Sequence, residues 1–219
     1  MTSPSTAAET TYELSLTDRL RQDIVAGRLV PHQRLIEADV AEEHDASRGE
    51  VRLALNELIT EGLVERIPNR GARVRKVSLA EAIEITEVRG AVESLCARKA
   101  AEKVTEAQAN ELREIGAAMQ QAVHRGARDD YSRLNRQLHT RIIEIADQQT
   151  AAQTIARLRG QAIRYHFQLS AQPDRPQVSL PQHLAIIEAI CAREPHAAAA
   201  AMQEHLASVT EAIAASREV

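Results

Sequence analysis

The spacing of apolar residues predicts helices along most of the chain, with one interruption near residue 65. Most segments carry an apolar residue every three or four positions, and glycine or proline separates one segment from the next. The predicted helices cover about residues 13–27, 37–44, 48–61, 79–102, 105–126, 128–147, 150–171, 180–193 and 195–217. The interruption consists of two β-prone runs, 63–67 and 72–77, around Pro68-Asn69-Arg70-Gly71, and it predicts a β-hairpin.

The predicted elements change at residue 78 from helices with a hairpin to helices alone, which predicts a boundary between two domains. Residues 1–12 are rich in Ser, Thr and Ala and are typical of a flexible tail. Residues 13–78 join three helices to the hairpin, which is the arrangement of a winged helix-turn-helix DNA-binding domain. Residues 79–219 hold the remaining amphipathic helices, typical of a bundle that houses ligands between facing helices. We therefore predict a mostly α protein, in which a winged helix-turn-helix precedes an all-α bundle of six to seven helices.

The distribution of charge matters more than the net charge of −4. Segment 66–76 contains five basic residues and no acidic one, whereas the acidic surplus is spread over the rest of the chain. A local basic strip is a usable footprint for nucleic acid, although most charged runs are only solvated surface. Aromatic residues make up 2% of the chain and tryptophan is absent, which argues against a base-stacking binder of single strands. Duplex DNA remains a possible partner.

Composition also bears on location. No apolar run approaches the ~18–20 residues of a membrane span. The N-terminus lacks the basic and apolar regions of a secretory signal. Cys96 and Cys191 form neither a disulfide framework nor a Cys-x-x-Cys metal motif. We expect a cytoplasmic protein with no membrane partner.

The third predicted helix has the features of a recognition helix. Ser47 and Glu50 form the S-x-x-E pattern of a capping box. Arg48 and Arg52 are four residues apart and therefore lie on one face, and arginine is the side chain best suited to guanine in the major groove. Gly49 removes a side chain where backbone would approach phosphate. We predict that this helix enters the major groove; two surface arginines on an ordinary helix are the alternative.

Four polar residues interrupt the apolar stripes of the predicted bundle. Asn135 and His139 lie four apart on the helix 128–147, and His183 and His205 lie on the last two helices. A single histidine on a core face is more often satisfied by a carbonyl group or water than by a metal ion. The other five histidines are expected on the surface: His32, His44, His124, His166 and His196.

The last two helices bring two of these histidines to one level. His183 lies eleven residues before Glu194 in the connection, and His205 lies eleven residues after it. At a rise of ~1.5 Å per residue, each is about 16 Å from the turn of an antiparallel pair. With Asn135 and His139 they supply three imidazoles and one oxygen, which suits Zn, Ni or a similar divalent transition ion. A core of three histidines packed with water is the alternative.

Several segments of the N-terminal region resemble the GntR family of bacterial transcription regulators. The matching segments are 34–41, 47–55, 61–64 and 68–71. The resemblance implies a winged-helix dimer on a palindromic operator. By motif position, the implied DNA contacts are Ser47, Arg48, Gly49 and Arg52 on the recognition helix and Arg70 and Gly71 at the wing tip.

The helical region is similar to the FCD effector domain of the FadR-like branch of that family. The matching segments are 87–93, 135–139, 183–190 and 205–206. This resemblance implies a divalent metal ion with a small carboxylate metabolite bound at it or beside it. The residues that it assigns to the metal ion are Asn135, His139, His183 and His205.

Two arginines are the candidates for the effector carboxylate. Arg89 matches a family motif, whereas Arg164 is chosen only by its helical placement. Asn135 stands where aspartate is commoner in the family. A neutral amide ligand leaves more positive charge on the metal ion, so we expect weaker metal retention and a preference for an anionic effector.

These features predict a ligand-responsive repressor that acts as a homodimer on duplex DNA and is not an enzyme. Two alternatives remain. A metalloenzyme would use the three histidines for hydrolysis, but it needs a general base near the metal ion, and none is obvious on the three apolar stripes. A metal sensor would respond to the ion itself, with no organic effector.

Overall fold

The computed structural model describes residues 14–68, 71–172 and 174–215, so the predicted tail and the wing residue Arg70 lie outside the described residues. The described chain forms ten helices: α1 Leu16–Val25, α2 Glu37–Glu43, α3 Arg48–Glu61, α4 Leu79–Lys103, α5 Glu106–His124, α6 Arg128–Ala146, α7 Gln149–Gln161, α8 Ile163–Ala171, α9 Arg175–Cys191 and α10 Pro195–Ala214. Its three strands are β1 Arg34–Leu35, β2 Val64–Ile67 and β3 Gly71–Val74.

The N-terminal unit is a three-helix winged helix-turn-helix. Helices α1, α2 and α3 pack with the strands around one apolar core that includes Leu20 and Leu58. The predicted hairpin forms by antiparallel pairing of β2 with β3, which places Val64 opposite Val74. A third strand, β1, pairs with the other edge of β3 and was not predicted. Residues 34–35 are too few to show the two-residue period that identifies a strand.

Helix α3 begins and ends with the features that its sequence predicts. The Ser47 hydroxyl accepts a hydrogen bond from the Glu50 amide (3.3 Å), and the Glu50 carboxylate accepts one from the Ser47 amide (2.8 Å). Gly62 ends the helix in the left-handed conformation (φ 76°), which glycine adopts without steric cost. Leu58 is fully buried. The helix is thereby fixed to the unit while residues 48–50 stay exposed.

The C-terminal unit is an all-α bundle built around the long helix α4. Helix α4 packs against α6, α7, α9 and α10, and α5 packs against α6 and α9. Large side chains such as Leu112, Leu138, Ile186 and Met202 are fully buried in its core. None of the described helices is both long and apolar enough to cross a bilayer. The fold is the predicted one, a winged helix-turn-helix followed by a seven-helix bundle.

The single helix predicted over 150–171 is wrong, because this segment forms two helices. Helices α7 and α8 are separated at Ala162, whose backbone leaves helical geometry (φ −94°, ψ 14°). The break lies where the bundle meets the N-terminal unit. There Ile163 packs against the N-terminal core, and a Cβ placed on Gly160 would lie 3.4 Å from the Glu61 carbonyl oxygen. A tertiary contact sets this break, and the local pattern does not encode it.

The helix predicted over 180–193 begins earlier than expected, at Arg175. The prolines of this segment caused the error, because proline commonly marks the end of a helix. Pro176 instead occupies the first turn, where the helix needs no backbone donor. As a consequence, Arg175 and Ser179 lie on the same helix as His183.

Candidate functional site

Three histidines from three helices meet inside the bundle. His139 on α6, His183 on α9 and His205 on α10 have only 6%, 1% and 4% of their surfaces exposed. Each offers a ring nitrogen, and these nitrogens lie within 4.8 Å of one another. The rings of His183 and His205, predicted to face each other across α9 and α10, have centroids 4.3 Å apart. The structure therefore brings the predicted trio together.

Acceptor oxygens hold the Nδ1 atoms of two of these histidines. Glu93 Oε2 lies 2.8 Å from His139 Nδ1, and Gln182 Oε1 lies 3.1 Å from His205 Nδ1. Carboxylate and amide oxygens only accept hydrogen bonds, so each Nδ1 carries the hydrogen. In a neutral imidazole the lone pair is then on Nε2. Both rings thus present an Nε2 lone pair.

A chain of hydroxyl groups fixes the tautomer of His183. The Ser179 hydroxyl donates to the backbone carbonyl of Arg175 (2.9 Å), so it accepts from the Tyr131 hydroxyl (2.7 Å). The Tyr131 oxygen in turn accepts from His183 Nδ1–H (3.0 Å). His183 Nε2 therefore carries a lone pair, and this atom is buried without a hydrogen-bond partner among the described residues.

Asn135 adds an oxygen to the same cavity. It lies one turn before His139 on α6, and its Oδ1 is buried with no hydrogen-bond partner in the described part of the chain. A buried acceptor without a donor is unfavourable, and the Nε2 of His183 shares this condition. A cation would satisfy both atoms. One neutral oxygen and three imidazole nitrogens form a donor set that suits a divalent transition ion.

Burial keeps the three imidazoles in the form that binds metal. It lowers the pKa of His183 and His205 well below the usual range, and the neighbouring histidines and the charge of Arg175 lower both further. Burial also lowers the pKa of His139, although the Glu93 carboxylate opposes this effect. Neutral imidazoles need to lose no proton before they coordinate an ion.

Glu93 connects one of these histidines to two arginines. The Glu93 side chain is 1% exposed and accepts hydrogen bonds from Arg89 Nη2 (2.9 Å) and Arg159 Nη2 (2.9 Å), besides that from His139. Burial alone would raise the pKa of the Glu93 carboxyl, but Arg89, Arg159 and His139 hold it well below its usual range. Glu93 is therefore ionised, and it orients the His139 ring.

The donors of Arg89 are directed to protein groups. Its Nε and Nη2 donate to Glu93 Oε1, and its Nη1 contacts Nε2 of His166. The prediction that His166 lies on the surface is wrong, because His166 is half-buried and lines the same cavity as Arg89. His166 fits no apolar stripe in the sequence, so the local pattern gives no sign that it lines the cavity.

These residues line one cavity of about 370 Å³, a volume that suits a small metabolite. The described part of its wall contains four arginines and no carboxylate: Arg89, Arg136, Arg159 and Arg175. Apolar side chains, among them Pro176, Leu206 and Val209, complete the wall. The cavity is therefore suited to an anion that also carries a short apolar portion.

The structure does not bring Arg164 to this cavity. Arg164 lies between the two units, in a separate cavity of about 20 Å³ that Arg75 also lines. A Cβ placed on Gly27 would lie 3.9 Å from Arg164 Nη2. The predicted position of Arg164 used the helical phase of a single helix, and the break at Ala162 shifts that phase. Arg164 contacts the N-terminal unit instead.

Several residues of the site were missed by the sequence analysis. Tyr131 was identified only as part of an apolar stripe, although it lies four residues before Asn135 and eight before His139 on one face of α6. That spacing is a signal that could have placed its hydroxyl at the site. Arg159 and Arg175 belong to no stripe, and only the packed bundle shows where they lie.

The predicted DNA contacts within the described residues lie at the start of α3 and at the wing. The four predicted contacts at the start of the helix, Ser47, Arg48, Gly49 and Arg52, are all exposed. Arg52 Nε donates to Glu37 of α2 (2.8 Å), yet 67% of the Arg52 side chain remains exposed. Gly71 begins β3 with a φ of 85°, a conformation that favours glycine. These predicted contacts within the described residues are all exposed.

Comparison with known proteins agrees with both halves of this architecture. Residues 13–74 match the model of bacterial regulatory proteins of the gntR family, and residues 84–208 match that of the FCD domain. The chain belongs to the GntR family and carries an FCD domain. This GntR-family protein is 33% identical over 194 residues to the HTH-type transcriptional repressor RspR of Escherichia coli K12, covering 89% of its own chain and 85% of RspR.

A more distant relative is also named a transcriptional regulator, and a solved structure shares the fold. The regulator is 24% identical over 176 residues to the Nta operon transcriptional regulator of Aminobacter aminovorans, covering 80% of this chain and 82% of that protein. Its fold is also that of E. coli McbR/YncC, with a TM-score of 0.70, 23% identity, and coverage of 91% of this chain and 99% of the other. The protein is a transcription regulator and not an enzyme, which removes the metalloenzyme alternative.

Proposed function

We propose that this GntR-family regulator is a repressor that binds duplex DNA as a homodimer and is released by a small carboxylate bound beside a divalent metal ion. The observation that carries the proposal is the convergent donor set inside the bundle. It consists of the Nε2 atoms of His139, His183 and His205 and the oxygen of Asn135. The name of the relative RspR, a transcriptional repressor, supports the direction of regulation.

The donor set fits an ion such as Zn²⁺ or Ni²⁺. When bound, such an ion supplies positive charge and open coordination positions for an anion. Glu93, Gln182 and Tyr131 hold the three Nδ1 atoms, so the rings are oriented for coordination by their surroundings. The neutral Asn135 ligand leaves more positive charge for the effector than a carboxylate ligand would.

Helix α3 carries the proposed contacts to the operator. Arg48 and Arg52 are exposed near its N-terminal end, which is the end that meets base edges in winged and simple helix-turn-helix modules. The ion pair of Arg52 with Glu37 is exposed, so exchanging it for a base or phosphate contact costs little. One helix offers few base contacts, and two copies on a palindromic operator multiply them. We propose that the bundle supplies the dimer interface.

Helices α7 and α8 connect the cavity to the DNA-binding unit. His166 of α8 lines the cavity, while Ile163 of the same helix packs against the N-terminal core. Gly160 of α7 lies against the backbone of Glu61 at the end of α3. An effector that moves α7 or α8 therefore moves the recognition helix. By linkage, an effector that weakens DNA binding is itself bound less tightly by the DNA complex.

The test uses the full chain without an affinity tag, purified without chelator. Elemental analysis should find one transition metal ion per chain, and selection from a random duplex pool should yield a palindromic site. Carboxylates added to the metal-loaded protein on that duplex should release it. Release by metal ion alone would favour a metal sensor instead. Absence of metal, with none taken up on titration, would contradict the proposed metal centre and leave three packed histidines.

A further inference from the structure

We propose that Arg175 binds a second carboxylate of the effector, so that the effector is a dicarboxylate with one acid group at the metal centre and the other at Arg175. The inference rests on the proposed function. Arg175 is the first residue of α9 and lines the 370 Å³ cavity. Its Nη2 is buried and has no hydrogen-bond partner among the described residues.

Arg175 differs from the other two inner arginines of the cavity in its partners. Arg89 and Arg159 both donate to Glu93, so each has a buried carboxylate as a partner. Arg175 donates from Nη1 to the neutral Ser208 hydroxyl (3.1 Å) and from Nη2 to no group in the described part of the chain. A buried guanidinium nitrogen without an acceptor is unfavourable until an acceptor, best an anion, reaches it.

The position of Arg175 suits a ligand that also reaches the histidine trio. Ser208, which the guanidinium contacts, lies three residues after His205 on α10. That separation is about 5 Å along the helix. A short carbon chain spans such a distance between its two terminal carboxylates. The cavity wall offers Pro176, Leu206 and Val209 as apolar contacts for the carbons of that chain.

The charge of the site also favours a dianion. Arg89 and Arg159 share the Glu93 carboxylate, Arg175 Nη2 has no acceptor among the described residues, and a divalent metal ion would add two positive charges. A monocarboxylate held at the metal centre would leave Arg175 without an anionic partner. A dicarboxylate supplies one acid group to each positive centre.

The experiment uses calorimetry to titrate the nickel-loaded full-length protein with straight-chain dicarboxylates of three to six carbons. Each dicarboxylate is compared with the monocarboxylate of the same chain length. 4-Hydroxybutyrate serves as the ligand with a neutral second acceptor. At least one dicarboxylate should bind on the order of tenfold to a hundredfold more tightly than its monocarboxylate partner, as expected for a charge-assisted contact. Arg175→Gln should bring this ratio close to one without weakening the monocarboxylate.

Arg136→Gln is the matched control, because Arg136 is an exposed arginine of the same cavity wall and should keep the preference. Arg175→Lys retains a cation and should keep part of the preference for dicarboxylates. This variant tests the inference if Arg175→Gln does not fold. Equal binding of dicarboxylates and monocarboxylates, or a preference unchanged in both Arg175 variants, overturns the inference. If 4-hydroxybutyrate binds as tightly as succinate, the four-carbon dicarboxylate, the inference that the second acid group must be charged is wrong. If no carboxylate binds the metal-loaded protein at all, the proposed function fails as well.

Discussion

The two units of the regulator hold the side chains proposed for their functions in opposite ways. In the N-terminal unit, Arg48 and Arg52 are exposed on a single helix whose start is fixed by a local capping box. In the bundle, His139 and His183 are buried, and their hydrogen-bond partners Glu93 and Tyr131 lie about 50 residues away in sequence. The proposed base contacts thus depend on one helix, whereas the cavity depends on the packing of several.

The energetic consequences differ in the same sense. An exposed ion pair such as that of Arg52 with Glu37 contributes little to the free energy of unfolding, because water and salt screen it. Removing one partner of a buried charge cluster is costly, because the remaining charge stays out of water. Substitutions of the exposed arginines of α3 should therefore change DNA binding alone, and substitutions of the buried polar residues of the bundle should change binding and stability together.

The largest effect is expected from His183→Ala. The variant loses a proposed nitrogen ligand, and we expect no retained metal ion and no response to carboxylates. Adding metal should raise the melting temperature of the wild type and leave that of the variant unchanged, by linkage. Elemental analysis and thermal unfolding measure both effects. DNA binding should persist, because α3 is untouched.

His196→Ala is the control for that experiment, since His196 is an exposed histidine on α10. It should retain the metal ion and its stabilising effect. A His183→Ala protein that keeps one metal ion per chain would refute the assignment of His183 as a ligand.

The next largest effect is expected from Glu93→Gln, which keeps the shape of the side chain and removes its charge. Arg89 and Arg159 would lose their buried carboxylate, and the free energy of unfolding should fall by about 3–5 kcal/mol. Denaturant titration of the metal-free protein measures the change without a contribution from metal binding. Glu111→Gln, at the exposed ion pair with Arg141, should cost less than about 1 kcal/mol. Similar losses in both variants would contradict the buried cluster.

In the N-terminal unit, Arg48→Ala and Arg52→Ala should each reduce discrimination between the selected operator and a scrambled duplex. A base-contacting arginine contributes about 1–3 kcal/mol to that discrimination. Competition binding at fixed salt gives the ratio, and Arg28→Ala, at an exposed arginine outside α3, is the control. Metal content and melting temperature should not change. Undiminished discrimination in both α3 variants would remove this helix from the major groove.

The sequence predicts features that depend on local patterns better than features that depend on the packing of distant helices. The capping box at Ser47 and the glycine end at Gly62 are local patterns, and the structure has both. The meeting of His183 with His205 was predictable, because a short connection fixes the register of two neighbouring helices. The break at Ala162 depends on contact between units and was not predictable.

The positions of Arg159 and Arg175 in the cavity depend on how distant helices pack, so no local pattern marks them. The early start of α9 was not predicted, because a proline in the sequence usually indicates the end of a helix. In the structure Pro176 lies in the first turn of α9, where proline is common. The sequence could therefore predict the polar residues that interrupt apolar stripes, namely Asn135 and the three histidines. It could not predict the charged groups that surround them.

The smallest effect tests whether the two units are coupled where α3 meets α7. Gly62 and Gly126 both adopt left-handed backbone, with φ of 76° and 66°. A Cβ on Gly62 would lie 2.6 Å from Gln161 Nε2 and 2.8 Å from its Cγ, whereas no described atom lies within 4 Å of a Cβ on Gly126. Both alanine variants should lose about 1–2 kcal/mol to backbone strain.

Gly62→Ala should lose a further ~0.5–1 kcal/mol, because the Gln161 side chain must move, and this excess should disappear in the Gln161→Ala background. Denaturant unfolding of the four proteins in the cycle measures the coupling, with Gly126→Ala reporting the strain alone. If Gly62→Ala and Gly126→Ala cost the same and the cycle shows no coupling, the end of α3 does not transmit through Gln161. The proposed effector signal would then pass through the other contacts between the units, Gly160 against Glu61 or Ile163 on the N-terminal core.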